Sequence, residues 1–105
     1  MIELGSSAVA ELRASMKACG LTQITFFDDQ LVGFKRRRDG GEYITVEVSV
    51  DFSRKKVSLT TVRESAVRNS RDRFKEVDYR EADWQTLDEA STLVEKFASE
   101  LGRKG

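Results

Sequence analysis

The chain has no histidine, no proline and a single cysteine in 105 residues. Without histidine it lacks the commonest general base at neutral pH and the commonest transition-metal ligand. One cysteine, Cys19, forms neither an internal disulfide nor a zinc site, and a lone thiol fits a reducing compartment, so a cytoplasmic location is expected. Long apolar runs are missing too: residues 24–27 are typical, with a threonine inside, against roughly 20 residues for a transmembrane helix, so no membrane partner is expected. The N-terminal stretch has Glu3 where a signal peptide carries lysine or arginine, which argues against secretion. No proline, repeat or low-complexity segment marks a linker, and residues 1–105 read as one domain with enough apolar residues, 39%, for a core without disulfides or metal.

Acidic and basic side chains cancel at eighteen each, yet they are segregated. Between residues 54 and 75, eight positives (Arg54, Lys55, Lys56, Arg63, Arg68, Arg71, Arg73, Lys75) face Glu64 and Asp72. Residues 76–101 are the mirror image, with eight acids against Arg80 and Lys96, and 35–38 form a separate basic run, Lys-Arg-Arg-Arg.

Hydrophobic periodicity predicts an α+β domain: an N-terminal helix, an antiparallel β-meander of four to five strands, and a C-terminal amphipathic helix packed on one sheet face. Val9, Leu12, Met16 and Cys19 make the first helical stripe, with Ser6 or Ser7 as N-cap and Gly20 as the residue that ends it. Residues 22–27 are β-branched and aromatic, and Asp28-Asp29 with Gly33 nearby marks a turn before the chain resumes at Phe34. Residues 42–52 alternate, placing Ile44, Val46, Val48, Val50 and Phe52 on one face. Matching apolar faces across hairpins predicts a three-residue loop at 39–41 with Phe34 opposite Val46, and a turn centred on Arg54-Lys55 with Phe52 opposite Val57. Residues 66–73 read as a basic loop and 74–79 as a possible fifth strand. Trp84, Leu87, Ser91, Val94, Ala98 and Leu101 step by three and four, Thr86 and Glu89 match a capping box, and Gly102 is the expected stop. Both helices should cover the face of Val46, Val48, Val50 and Leu59, with Trp84 mostly buried.

No catalytic set emerges, and the expectation is a non-enzymatic protein without cofactor or metal. Asp28-Asp29 reads as a turn rather than a cation site, Cys19 as a buried structural thiol at the wrong helix end for activation, and Gly40-Gly41 as hairpin glycines rather than a phosphate loop. The basic residues carry the functional reading. The expected register puts Arg36, Arg38 and Arg63 on the face of Ile44 and Val46, and Lys35 and Arg37 beside Thr45 and Tyr43 on the other, next to Ser58 and Thr60. Cations beside an aromatic, flanked by basic hairpins, suit single-stranded nucleic acid, because charge tracks phosphates and rings stack on bases. The candidate set is Lys35, Arg36, Arg37, Arg38, Tyr43, Arg54, Lys55, Lys56, Arg63, Arg68, Arg71 and Arg73. The same cations could equally solvate strand edges and block aggregation.

From Phe34 onward the order of meander, basic loop, strand and helix resembles the single-stranded-DNA-binding transcriptional coactivators of the positive-cofactor-four type. The residues concerned are Val50-Asp51-Phe52, the Arg54-Lys55-Lys56 turn, Val62-Arg63-Glu64, and Trp84 with Leu87. The resemblance implies a curved sheet binding nucleic acid through Arg54, Lys55, Lys56 and Arg63, and a helix supporting a homodimer. The expected function is therefore a module for single-stranded DNA or RNA. The alternative is a protein-interaction module, an adaptor, inhibitor or small chaperone, using the segregated charge and the acidic last helix.

Overall fold

The computed structural model describes the backbone of residues 2–65 and 74–103, and the side chains of residues 7–38, 40–64 and 78–99. The elements run α1 (Ile2–Ala18), β1 (Thr22–Phe27), β2 (Gln30–Asp39), β3 (Glu42–Asp51), β4 (Lys56–Ser65), β5 (Phe74–Asp83) and α2 (Leu87–Arg103). The strands form one antiparallel sheet in sequence order. Both helices pack on one face, where Val46, Val48, Val50, Val57 and Leu59 are buried with Leu12, Met16, Ala90, Val94, Phe97 and Ala98. The α+β class, the five-stranded meander and the helices on the Val46 and Leu59 face are as the periodicity predicts.

α1 begins at Ile2, so neither Ser6 nor Ser7 is its N-cap; serine in a helix interior costs only a few tenths of a kcal/mol, and the helix simply runs through them. At its other end Leu21 N donates to Met16 O at 3.0 Å and Gly20 N to Lys17 O at 3.0 Å, with Gly20 at φ +86°. This is a Schellman closure, and Met16 and Leu21, the pair it brings together, are both buried.

The first hairpin turns through Asp28 and Asp29, both at positive φ, and Phe27 pairs with Gln30. Strand β2 therefore starts at Gln30 rather than Phe34, and Gly33 lies inside it. The second hairpin differs from expectation in parity. Asp39 pairs with Glu42 across a two-residue Gly40-Gly41 loop, so Phe34 lies opposite Glu47 and Gly33 opposite Val48. The physical reason is close packing by the end of α1 and the residues that lead from it into β1. A Cβ on Gly33 would sit 3.2 Å from Leu21 Cβ, 3.2 Å from Ile24 Cγ1 and 3.3 Å from Met16 Sδ, so α1, its closing turn and β1 converge on the one β2 position without a side chain. The larger Phe34 turns to the other face. Arg36 and Arg38 turn with it, beside Tyr43 and Thr45, while Lys35 and Arg37 move to the helix-covered side. This reverses the face expected for all four.

The third hairpin keeps parity but slips by two. Asp51 pairs with Lys56 and Val50 with Val57, leaving a four-residue turn that includes Phe52. Released from the strand, Phe52 packs edge-on against Trp84 at 5.9 Å and Phe26 at 6.0 Å between centroids. Strand β5 extends four residues past the predicted 79, and Trp84, 6% exposed, closes the core beyond it. The capping box forms: Glu89 N donates to Thr86 Oγ1 at 3.2 Å, and Thr86 N to Glu89 Oε1 at 3.1 Å. The helix continues through Gly102 to Arg103.

Candidate nucleic-acid interface

Since both helices share one side, the other side of the sheet has no covering layer among the described residues. Cross-strand pairing arranges its side chains in rows. One row runs Phe27, Gln30, Asp51, Lys56, Asp83; the next Thr25, Val32, Ser49, Ser58, Glu81; the next Thr22, Phe34, Glu47, Thr60, Tyr79. Toward the β2–β3 loop follow Arg36, Thr45 and Val62, and then Arg38, Tyr43 and Glu64. The described face thus holds five acids, Glu47, Asp51, Glu64, Glu81 and Asp83, against Arg36, Arg38 and Lys56. Two of those three cations meet at one end.

At that end the Arg36 guanidinium carbon lies 4.1 Å from the centre of the Tyr43 ring and that of Arg38 lies 5.5 Å away. The strands produce this directly, since Arg38 is the cross-strand neighbour of Tyr43 and Arg36 its diagonal neighbour. Arg36 Nη2 also contacts Glu64 Oε1 at 3.4 Å, and Arg38 Nε donates to Gly40 O at 3.4 Å. With its side chain 54% exposed, Arg36 is in a pair worth at most about 1 kcal/mol, so Glu64 holds the guanidinium only weakly. On the helix side of the same end, Arg37 and Arg63 flank Ile44 in the ladder, and Arg63 Nη1 donates to Glu42 Oε1. Strand β4 leaves at Ser65 and β5 returns at Phe74 beside this end. Residues 66–73, read from the sequence as a basic loop with Arg68, Arg71 and Arg73, lie outside the described residues.

The Arg54-Lys55-Lys56 turn is at the opposite end of ten-residue strands, about 30 Å away. With a screening length of about 8 Å, the two basic groups do not act as one field. The turn is also built around acids. Asp51 Oδ1 accepts from Ser53 N and Arg54 N at 3.0 Å each, and Asp51 Oδ2 from Arg54 Nε at 3.2 Å. These bonds, led by the Arg54 backbone N–H, hold the Asp51 carboxyl below its ordinary pKa. Lys56 Nζ reaches Asp83 Oδ1 at 2.6 Å and Glu81 Oε2 at 3.5 Å, and the Asp83 bond raises its pKa. Tyr79 donates its hydroxyl to Glu81 at 2.8 Å, which lowers the Glu81 carboxyl and raises the phenol. Trp84 N donates to Lys55 O at 3.0 Å, fixing the turn on the core. Structural bonding accounts for Arg54 and Lys56.

Lys35 is withdrawn from the face altogether, its Nζ donating to Cys19 O at 3.2 Å at the end of α1, where a cation complements the helix dipole. The Cys19 thiol is half-buried, and its pKa is raised chiefly by burial, then by Glu95, against a smaller lowering by Lys35. Among the described residues no cluster of three or more acidic or cysteine side chains could hold a metal, and no helix is long and apolar enough to cross a membrane. Phe34 and Tyr79 also lie on the uncovered face and were absent from the candidate set. The alternation of Tyr79, Glu81 and Asp83 against Arg80 and Ala82 was a signal for Tyr79; Phe34 followed only from the true loop length. Comparison of the chain with protein-family models, curated proteins and solved structures finds no match.

Proposed function

We propose that the protein is a non-enzymatic module that binds single-stranded DNA or RNA across the β2–β3 end of its uncovered sheet face. The observation that carries this reading is the placement of the Arg36 and Arg38 guanidiniums around Tyr43 on the side away from both helices. A phosphate pairs with either guanidinium in place of Glu64, and a base stacks on the ring or on a guanidinium plane, with Phe34 one row inward. Arg63 sits at the same end, whereas the Arg54 turn does not contribute, so the set implied by the positive-cofactor-four resemblance divides between two ends. A protein-interaction module is the second reading, favoured by the four acids on the rest of the face, Glu47, Asp51, Glu81 and Asp83.

The test is anisotropy of a labelled single-stranded oligonucleotide over a salt series. Arg36→Ala with Arg38→Ala should lower affinity and flatten the slope of log K against log salt by about 1.4, at about 0.7 per lost phosphate contact. Arg54→Ala with Lys55→Ala should change neither. If the parent does not bind DNA or RNA at low salt, or if both pairs act alike, the interface is wrong and the protein-partner reading replaces it.

A further inference from the structure

The two edges of the sheet are guarded very differently. Strand β5 has six charged residues in ten, and its ladder slips between Thr61 and Val62, where Val77 is passed over. Charges and a bulge are the usual protection of an edge against pairing with another chain. Strand β1, Thr-Gln-Ile-Thr-Phe-Phe, has no charge, and its irregularity between Thr22 and Thr25, with Gln23 at φ +53°, leaves residues 25–27 in regular register. Among the described residues it also carries two of the three exposed large hydrophobic side chains, Phe27 at 61% and Phe26 at 39%. Its closing pair, Phe27 with Gln30 across a two-residue turn, is the hydrogen-bonded kind, so alternation directs the backbone groups of Phe26 outward, with Ile24 beside them in the bulged stretch.

We infer that β1 is a pairing edge for a second copy of this chain, the two strands running antiparallel about a two-fold axis at Thr25. This register sets the outward groups of Phe26 against Ile24 of the other copy, apolar on apolar. Charge selects the same arrangement. Asp28 and Asp29 lie beyond one end of the strand, both exposed. Beyond the other lie Lys17, in the last turn of α1, and Lys35, whose ammonium sits at Cys19 O. Antiparallel pairing brings the two aspartates of each copy to the two lysines of the other, whereas parallel pairing would stack aspartate on aspartate. The axis is perpendicular to the sheet, so ten strands become continuous and both uncovered faces look the same way.

The inference is independent of nucleic-acid binding and is tested without it. Sedimentation equilibrium of the parent should show a concentration-dependent dimer, and Thr25→Lys, which sets two ammonium groups on the axis, should raise its Kd at least tenfold. Tyr79→Lys, on the far edge, should leave the Kd unchanged. A parent that stays monomeric to about 1 mM overturns the inference, as does a folded Thr25→Lys chain that dimerises like the parent. Should Thr25→Lys not fold, hydrogen exchange in the parent decides: Ile24 and Phe26 amides whose protection rises with protein concentration support the interface, and concentration-independent exchange rejects it.

Discussion

Replacing Gly33 with alanine tests the sheet register at the point where it departs from the pattern of apolar residues. Gly33 does not have a positive φ, so alanine brings no backbone strain, and on an open strand position it should stabilise by about 0.5–1 kcal/mol through reduced chain entropy. Here the new methyl meets three neighbours between 3.2 and 3.3 Å. Met16 Sδ can move, being the flexible part of a long side chain, but Leu21 Cβ cannot, because it is one bond from a backbone held by the Schellman closure. Overpacking of this kind costs about 1–3 kcal/mol. The difference leaves a net loss of about 1 kcal/mol, and Gly33→Val, with two further methyl groups in the same space, should lose more than about 3. In urea titrations, where m is about 1–3 kcal/mol/M for a chain of this size, the alanine variant should show a midpoint lower by about 0.5 M at unchanged m. A midpoint that rises instead would put position 33 on the uncovered face, and with it move Arg36 and Arg38 to the face away from Tyr43.

Trp84→Ala should cost about 3–5 kcal/mol by urea titration, given burial and the edge contact with Phe52. Trp84→Phe should stay within about 1 kcal/mol, because the buried indole N–H has no acceptor among the described residues and its removal offsets the smaller ring. Thr86→Ala should cost about 1 kcal/mol through loss of the cap to Glu89 N, with reduced helicity by circular dichroism. The raised Cys19 pKa means the native state holds the thiol proton more tightly than the unfolded chain. That contribution is complete below the ordinary thiol pKa of about 8.5 and is lost as pH rises through the elevated native value. The parent should therefore lose more stability than Cys19→Ala between pH 7 and pH 10, and equal losses would refute the burial argument.

Much of the fold is legible in residue order. The alternation from Ile44 to Val50 and the three-four spacing from Leu87 to Ala98 each identify a face, and the Thr86 and Glu89 pair locates a helix start, because these are local rules that tertiary packing reinforces. Loop length was not legible in the same way. A rule that matches apolar to apolar across a hairpin puts Phe34 on the core face, and it cannot register that the space there is taken by Met16, Leu21 and Ile24 and that glycine is the residue that fits. That single step moved four cations between faces. The candidate site suffered most from treating charge along the chain as charge in space: Arg54 and Lys56 are far from Arg36 in the sheet and close to Asp51, Glu81 and Asp83. Cross-strand neighbours, not sequence neighbours, set their electrostatics.

The most direct test of the interface is to titrate the isotopically labelled protein with a short single-stranded oligonucleotide at low salt and follow backbone amides and the Tyr43 ring by NMR. The expected result is shifts confined to β2, β3 and β4 at the loop end, in Phe34, Arg36, Arg38, Tyr43, Thr45 and Val62, which reverse as salt is raised. Shifts centred instead on α2 or on the Arg54 turn, or no shifts at low salt, would contradict the proposed site.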